Sequence, residues 1–146
     1  MMGPRVGAGM ALVRNGRLLL IQRRRPPEVG RWSLPGGKVD FGESARAAAM
    51  REMAEELGIV VTTAELLGVA DLIGEGQHWV SPVYLATAAE GEPSLLEPEK
   101  HSAFGWFALD APPEPLAQSA ITAIALLTSP DRASAAGESR QPSSTS

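Results

Sequence analysis

Residues 37–59 read GKVDFGESARAAAMREMAEELGI, and the second half of that stretch decides the fold class. Ser44 to Leu57 is alanine-rich, holds no proline or glycine and lies between Gly42 and Gly58. That predicts a helix with Ser44 as N-cap and a glycine stop. At about 100° per residue, Ala49, Met50, Met53 and Leu57 share the side that should face the core. Arg46 falls on it too, in the first turn. Glu52, Glu55 and Glu56 stand at i, i+3 and i+4, so three carboxylates converge on a patch turned away from the core. Ser44 and Ala48 precede them on that face, so only small side chains separate the carboxylates from the preceding loop. Like charges at this spacing destabilise a helix by roughly a few tenths of a kcal/mol each, and Arg51 relieves only part of that. A hard divalent cation is the natural remedy, because oxygen donors without histidine or cysteine select Mg2+ or Mn2+ over Zn2+.

Working outward, Val6 to Val13 and Arg17 to Gln22 read as strands joined in a hairpin at Asn15-Gly16. Arg23 to Arg31 is rich in arginine, proline and glycine and reads as a loop, and Leu34-Pro35-Gly36-Gly37 as a strand end whose bend needs permissive backbone angles. Leu66 to Ile73, Trp79 to Ala86 and Ala103 to Leu109 read as further strands, and Leu116 to Leu127 as a second apolar helix. Strands and helices interleave, which predicts an α/β domain: a mixed sheet with helices on both faces. Residues 1–128 form the expected domain. Residues 129–146, serine-rich and without large apolar side chains, are expected to be a flexible C-terminal tail.

Composition narrows the function classes. The chain has 146 residues with a net charge of -4, which disfavours a surface for polymeric nucleic acid. It has no cysteine, so disulfides, thiolate metal sites and cysteine nucleophiles are excluded. Apolar runs such as Ile121 to Leu127 fall well short of the roughly 20 residues of a membrane span, and the N-terminus lacks a secretory h-region. A cytoplasmic protein without membrane partners is the expectation. The acid excess is concentrated: Asp40, Glu43, Glu52, Glu55 and Glu56 outnumber Lys38, Arg46 and Arg51.

Gly37, then Glu43, then Arg51-Glu52-Met53-Ala54-Glu55-Glu56-Leu57-Gly58-Ile59, at these spacings, resembles the Nudix box at every defining position. A solvated acidic helix face would produce Glu-x-x-Glu-Glu alone. A chance match to all the fixed positions is below roughly one in 10^8 at average residue usage, and this decides against that reading. The flanks agree: Arg31-Trp-Ser-Leu-Pro-Gly-Gly-Lys-Val-Asp-Phe-Gly-Glu-Ser is similar to the usual run into the box, and Glu97-Pro-Glu-Lys with Trp106-Phe107 and Asp110 is similar to the tail of MutT-type nucleoside triphosphate pyrophosphohydrolases. The resemblance implies a Nudix α/β/α sandwich and a hydrolase cutting a diphosphate linkage by substitution at phosphorus, with Mg2+ or Mn2+ as cofactor. It implies Glu52, Glu55 and Glu56 as metal ligands with the backbone carbonyl of Gly36, and Glu43 with Arg51 as an ion pair bracing loop to helix. The general base is Glu56 or Glu99, with Glu97 the neighbour that a small misalignment would exchange for Glu99.

Arg23, of the run Arg23-Arg24-Arg25, is the expected contact to a substrate phosphate. Trp32 and Trp79 read foremost as core, although Trp79 lies on a strand that could line the base pocket. His78 and His101 are isolated in sequence, without a metal-ligating partner at useful spacing, and read as structural or surface residues. Among substrates, ADP-ribose hydrolases of the family tend to carry a proline, and diadenosine polyphosphate hydrolases a tyrosine, shortly after the box. Here that window is Glu75 to Gln77, and Pro82 and Tyr84 lie beyond it. The Glu97-Pro-Glu-Lys tail favours a nucleoside triphosphate, modified ones included, cleaved to monophosphate and pyrophosphate; nucleotide sugars and ADP-ribose are the alternative. A non-catalytic nucleotide-binding module of the same fold would be expected to lose box glutamates, and this chain keeps them. The isomerase branch needs histidine and cysteine ligands. The resemblance leaves a homodimer open.

Overall fold

The computed structural model describes residues 3–132. In chain order the elements are β1 (Arg5–Ala11), β2 (Val13–Arg14), β3 (Arg17–Arg23), β4 (Trp32–Ser33), β5 (Gly36–Lys38), α1 (Ala45–Leu57), β6 (Val60–Gly74), β7 (Gln77–Glu90), β8 (His101–Ala108) and α2 (Gln118–Leu127). A mixed sheet runs β5-β1-β7-β6, with β1 parallel to β7 and antiparallel to β5. Beside it stands an antiparallel sheet in which β3 pairs with β2, β4 and β8.

Strand alternation explains why helices cover both faces. On β1, Ala8 and Met10 join a core with Ala48, Ala49, Met53 and Leu57 of α1, while Ala11 joins a second core with Ala120 and Ala123 of α2. On β3, Leu19 and Ile21 enter the first core and Leu18 and Leu20 the second, so its unbroken aliphatic run is that of a strand buried on both faces. The expected α/β sandwich with a mixed sheet is what the chain forms. No helix among the described residues is long and apolar enough to cross a membrane.

Four local expectations change. The Asn15-Gly16 turn exists, with positive φ at both residues, but only Val13–Arg14 pairs across it; the chain breaks at Leu12 and β1 belongs to the other sheet. The strands read as Leu66 to Ile73 and Trp79 to Ala86 are the middle of a longer hairpin, in register from Val60↔Glu90 to Gly74↔Gln77 through several bulges. Those bulges and the exposed Thr62 and Thr63 blur the alternation that a strand shows in sequence. Helix α2 starts at Gln118, because Leu116 is spent on a parallel bridge to Trp32 and Ala117 is the N-cap. Within the predicted tail, residues 130–132 are helical, with Arg132 3.2 Å from Glu65, and residues 133–146 lie outside the described residues.

Helix α1 keeps its predicted ends. Ser44 accepts a hydrogen bond from the Ala47 N–H at 3.0 Å, and Gly58 closes the helix in the left-handed region. Arg46 causes no conflict with the core: it is exposed and its guanidinium lies over the Tyr84 ring, 5.7 Å from the centroid. Ala48 and Glu56, however, are buried along with Ala49, Met53 and Leu57, while Met50 is half-buried. The core therefore extends round to the Glu56 side of the helix.

Candidate active site

Arg51 organises the loop before α1 and the start of the acidic face. It grips Glu43 through two contacts, Nε to Oε2 at 2.7 Å and Nη2 to Oε1 at 2.9 Å, the expected brace of loop to helix. The same guanidinium donates to the Lys38 carbonyl at 3.2 Å, to Glu52 Oε1 at 3.0 Å and to Glu55 Oε2 at 3.2 Å. Hydrogen bonds from Arg51, helped by the Asp40 N–H, hold Glu43 at a pKa of about 2. Glu52 moves the other way: burial raises its pKa, and the neighbouring charge of Glu56 adds to the rise.

The two glycines before the box are needed for close approach. Neither Gly36 nor Gly37 has positive φ, and both lie in strand β5; the expected bend falls at Pro35 and requires no left-handed glycine. A Cβ on Gly36 would lie 2.3 Å from the Ala8 carbonyl oxygen, and one on Gly37 would lie 2.7 Å from the Glu52 carboxylate. This packing lets the Gly36 N–H donate to Glu56 Oε1 at 2.8 Å. The structure thus engages Gly36 through its N–H.

Glu56 departs most from the sequence expectation. It is 4% exposed, not part of a solvated patch, and burial is the main cause of its raised pKa. Its Oε2 lies 3.3 Å from Nε2 of His101, itself 4% exposed. Glu97 completes the group: donor atoms of Glu56, Glu97 and His101 all lie within 4.8 Å of one another. Glu99 stays outside, exposed in the turn before β8. That turn sets the choice, because the Glu97 carbonyl accepts from the N–H groups of both Lys100 and His101 and Glu97 Oε2 receives Lys100 Nζ at 3.3 Å. His101 is therefore buried and has carboxylate partners in space. No spacing rule reveals it, since it meets Glu56 only when the fold brings the first residue of β8 to the last turn of α1.

These residues fit a divalent cation. Glu97 Oε1 is buried without a hydrogen-bond partner, and Glu52 and Glu56 repel each other at partly desolvated positions. A cation among them would relieve both costs.

A cavity of about 320 Å³ adjoins the carboxylates, because Gly36 and Gly37 line it as well as touching Glu56 and Glu52. Gly7 and Gly9 leave it open, and Trp79, Ser81 and Arg23 form other parts of its wall. Trp79 is thus at the cavity, while Trp32 packs edge-on against Phe107 at 5.0 Å in the second core. Arg23 lines the cavity with part of its fork already used, Nε donating to the Pro27 carbonyl at 2.6 Å. Arg24 ties the loop to the Glu97 turn through the Pro98 carbonyl at 2.7 Å, and His78 is exposed.

Fold and site together define an α/β sandwich in which one helix presents glutamates beside a cavity of about 320 Å³. The NUDIX domain family model matches residues 3–127, and the chain belongs to the Nudix family. The crystal structure of a MutT NUDIX hydrolase from Burkholderia pseudomallei superposes with a TM-score of 0.84 at 53% identity, covering 87% of this chain and 100% of that one. A Mycobacterium tuberculosis protein, provisionally named 8-oxo-dGTP diphosphatase 2, is 54% identical over 66 residues, 44% of this chain and 45% of that protein. The oxidized purine nucleoside triphosphate hydrolase of Danio rerio is 35% identical over 104 residues, 70% of this chain and 65% of the relative. The chain thus matches between about half and two thirds of the length of these two curated relatives.

Proposed function

We propose that this chain is a divalent-metal-dependent pyrophosphohydrolase of the MutT type, cleaving a nucleoside triphosphate, modified purine nucleotides included, to the monophosphate and pyrophosphate. The observation that carries the reading is a complete box whose Glu52 and Glu56 touch the two glycines lining the cavity, with Glu97 delivered beside Glu56. The names of the Mycobacterium and Danio relatives support the triphosphate class.

In this reading Glu52, Glu55, Glu56 and Glu97 hold the ion, with the Gly36 carbonyl as a further donor. Bound Mg2+ or Mn2+ supplies neutralisation of the charge on the phosphates. Arg23 and Lys38, both on the cavity wall, contact phosphate oxygens, and Trp79 offers a face to the base. Glu56 and Glu97 are the acceptors for the proton of the attacking water, and Glu97 replaces Glu99 in that role because its Oε1 is free and inside the group. Arg51 and Glu43 act on the reaction by holding Glu52 and the loop in place. In this reading the cytoplasm, where nucleotides are turned over, is the proposed place of work.

The test is a screen of canonical and oxidised nucleoside triphosphates, nucleotide sugars and ADP-ribose with Mg2+, products resolved by chromatography. Triphosphates turned over faster than the diphosphate-linked sugars support the reading. Preferred cleavage of ADP-ribose or a nucleotide sugar would move the protein to another branch of the family.

A further inference from the structure

His101 lies outside the box and outside the ligand set proposed above, yet it is buried beside both glutamates nearest the reaction. Its two ring nitrogens differ. Nε2 faces Glu56 Oε2 at 3.3 Å, while Nδ1 is buried with no partner. A buried N–H without an acceptor costs more than an unused lone pair in the same place, so the ring N–H that the surroundings favour is the one on Nε2, directed at the carboxylate. Glu56 then has a donor on each oxygen: the Gly36 N–H on Oε1 and the imidazole on Oε2. The main chain adds a second link, because the His101 N–H donates to the Glu97 carbonyl at 3.1 Å. One residue thereby fixes Glu56 through its side chain and the Glu97 turn through its backbone, at the first position of β8, opposite Arg23 across a register shift.

We infer that His101 is a positioning residue, which orients the Glu56 carboxylate against the Gly36 N–H so that Glu56 and Glu97 are preset for a divalent ion. The inference rests on the proposed reading that these glutamates hold such an ion. It is a role exercised through Glu56, distinct from contact with ion or substrate, and outer partners of this kind typically change metal affinity about 10–100-fold when removed.

The experiment compares H101Q with H101N. Glutamine extends an amide N–H to about the place of Nε2, whereas asparagine ends near Nδ1 and leaves Glu56 Oε2 without its donor, with polarity kept in both. Mn2+ affinity is measured from the free-ion electron paramagnetic resonance signal, urea midpoints in chelator report on the fold, and H78Q, at the exposed histidine, is the control. Expected are a Kd for Mn2+ weakened about 10–100-fold in H101N and largely restored in H101Q, with both folded in chelator. Wild-type affinity in H101N, or equal loss in both variants, would overturn the inference. So would a strong imidazole nitrogen coupling to Mn2+ in electron spin echo spectra of the wild type, a measurement that needs no variant and would make His101 a ligand. Failure of the wild type to bind Mn2+ or to hydrolyse any nucleotide would sink the metal-dependent reading itself, whereas a normal wild type with an unchanged H101N sinks this inference alone.

Discussion

Glu56→Gln separates the charge of the buried carboxylate from its shape. The side chain is 4% exposed, and burial outweighs the contacts from His101 and the Gly36 N–H in setting the direction of its pKa, which is raised. In the metal-free protein, folding therefore disfavours the charged form of this group. The sign follows: between the unfolded pKa and the raised folded one, the native state binds more protons, so stability falls as pH rises. Glutamine keeps the acceptor for the Gly36 N–H and removes the buried charge, while its NH2 group faces His101 Nε2 and obliges that ring to move its proton to Nδ1. In chelator, relief of the buried charge should offset the change at His101 and leave E56Q within about 1 kcal/mol of the wild type. With metal the wild type leads, because an ion at 100 times its Kd adds about 2.7 kcal/mol to the wild type and much less to a protein lacking this ligand. Urea unfolding at pH 7, in chelator and in Mn2+, reads both effects. An E56Q protein destabilised by more than about 1 kcal/mol in chelator, or gaining as much from metal as the wild type, would refute the reasoning.

Glu43, held at a pKa of about 2 by Arg51, contributes stability that is complete above its unfolded value of 4.5 and is lost as pH falls toward 2; E43Q should flatten that limb of the urea midpoint against pH. Gly36→Ala forces a Cβ to 2.3 Å from the Ala8 carbonyl and should cost about 1–3 kcal/mol in thermal or urea unfolding, with activity falling as Glu56 loses its N–H donor. Glu97→Gln should lower kcat by about 10²–10⁴-fold while Glu99→Gln changes it far less; equal losses would return Glu99 to the site.

The helix and its chemistry were legible because they are local. Ser44, Gly58 and the periodic Glu52, Glu55 and Glu56 announce themselves within one element, and the pairing of Glu43 with Arg51 follows from the box resemblance. What sequence could not supply was depth and partnership. A helical period places Glu56 beside Glu52 and Glu55 but does not reveal that His101, at the start of β8, and the Gly36 N–H close over it, so a buried group reads as a surface one. Glu97 and Glu99 are equivalent in sequence, two residues apart, and only the turn that binds the Lys100 and His101 N–H groups to the Glu97 carbonyl distinguishes them. His101 is a lone histidine until the β3 and β8 pairing carries it to α1. The Gly36-Gly37 pair shows a related limit: in sequence, glycine here signals unusual backbone angles, whereas the Ala8 carbonyl and the Glu52 carboxylate demand the absence of a side chain.

The most direct test of the central claim is phosphorus NMR of the products formed from a nucleoside triphosphate by chelator-stripped protein, before and after Mg2+ is restored. The account predicts no turnover in chelator and, with Mg2+, stoichiometric monophosphate and pyrophosphate. Release of orthophosphate with the diphosphate, or undiminished hydrolysis in chelator, would contradict it.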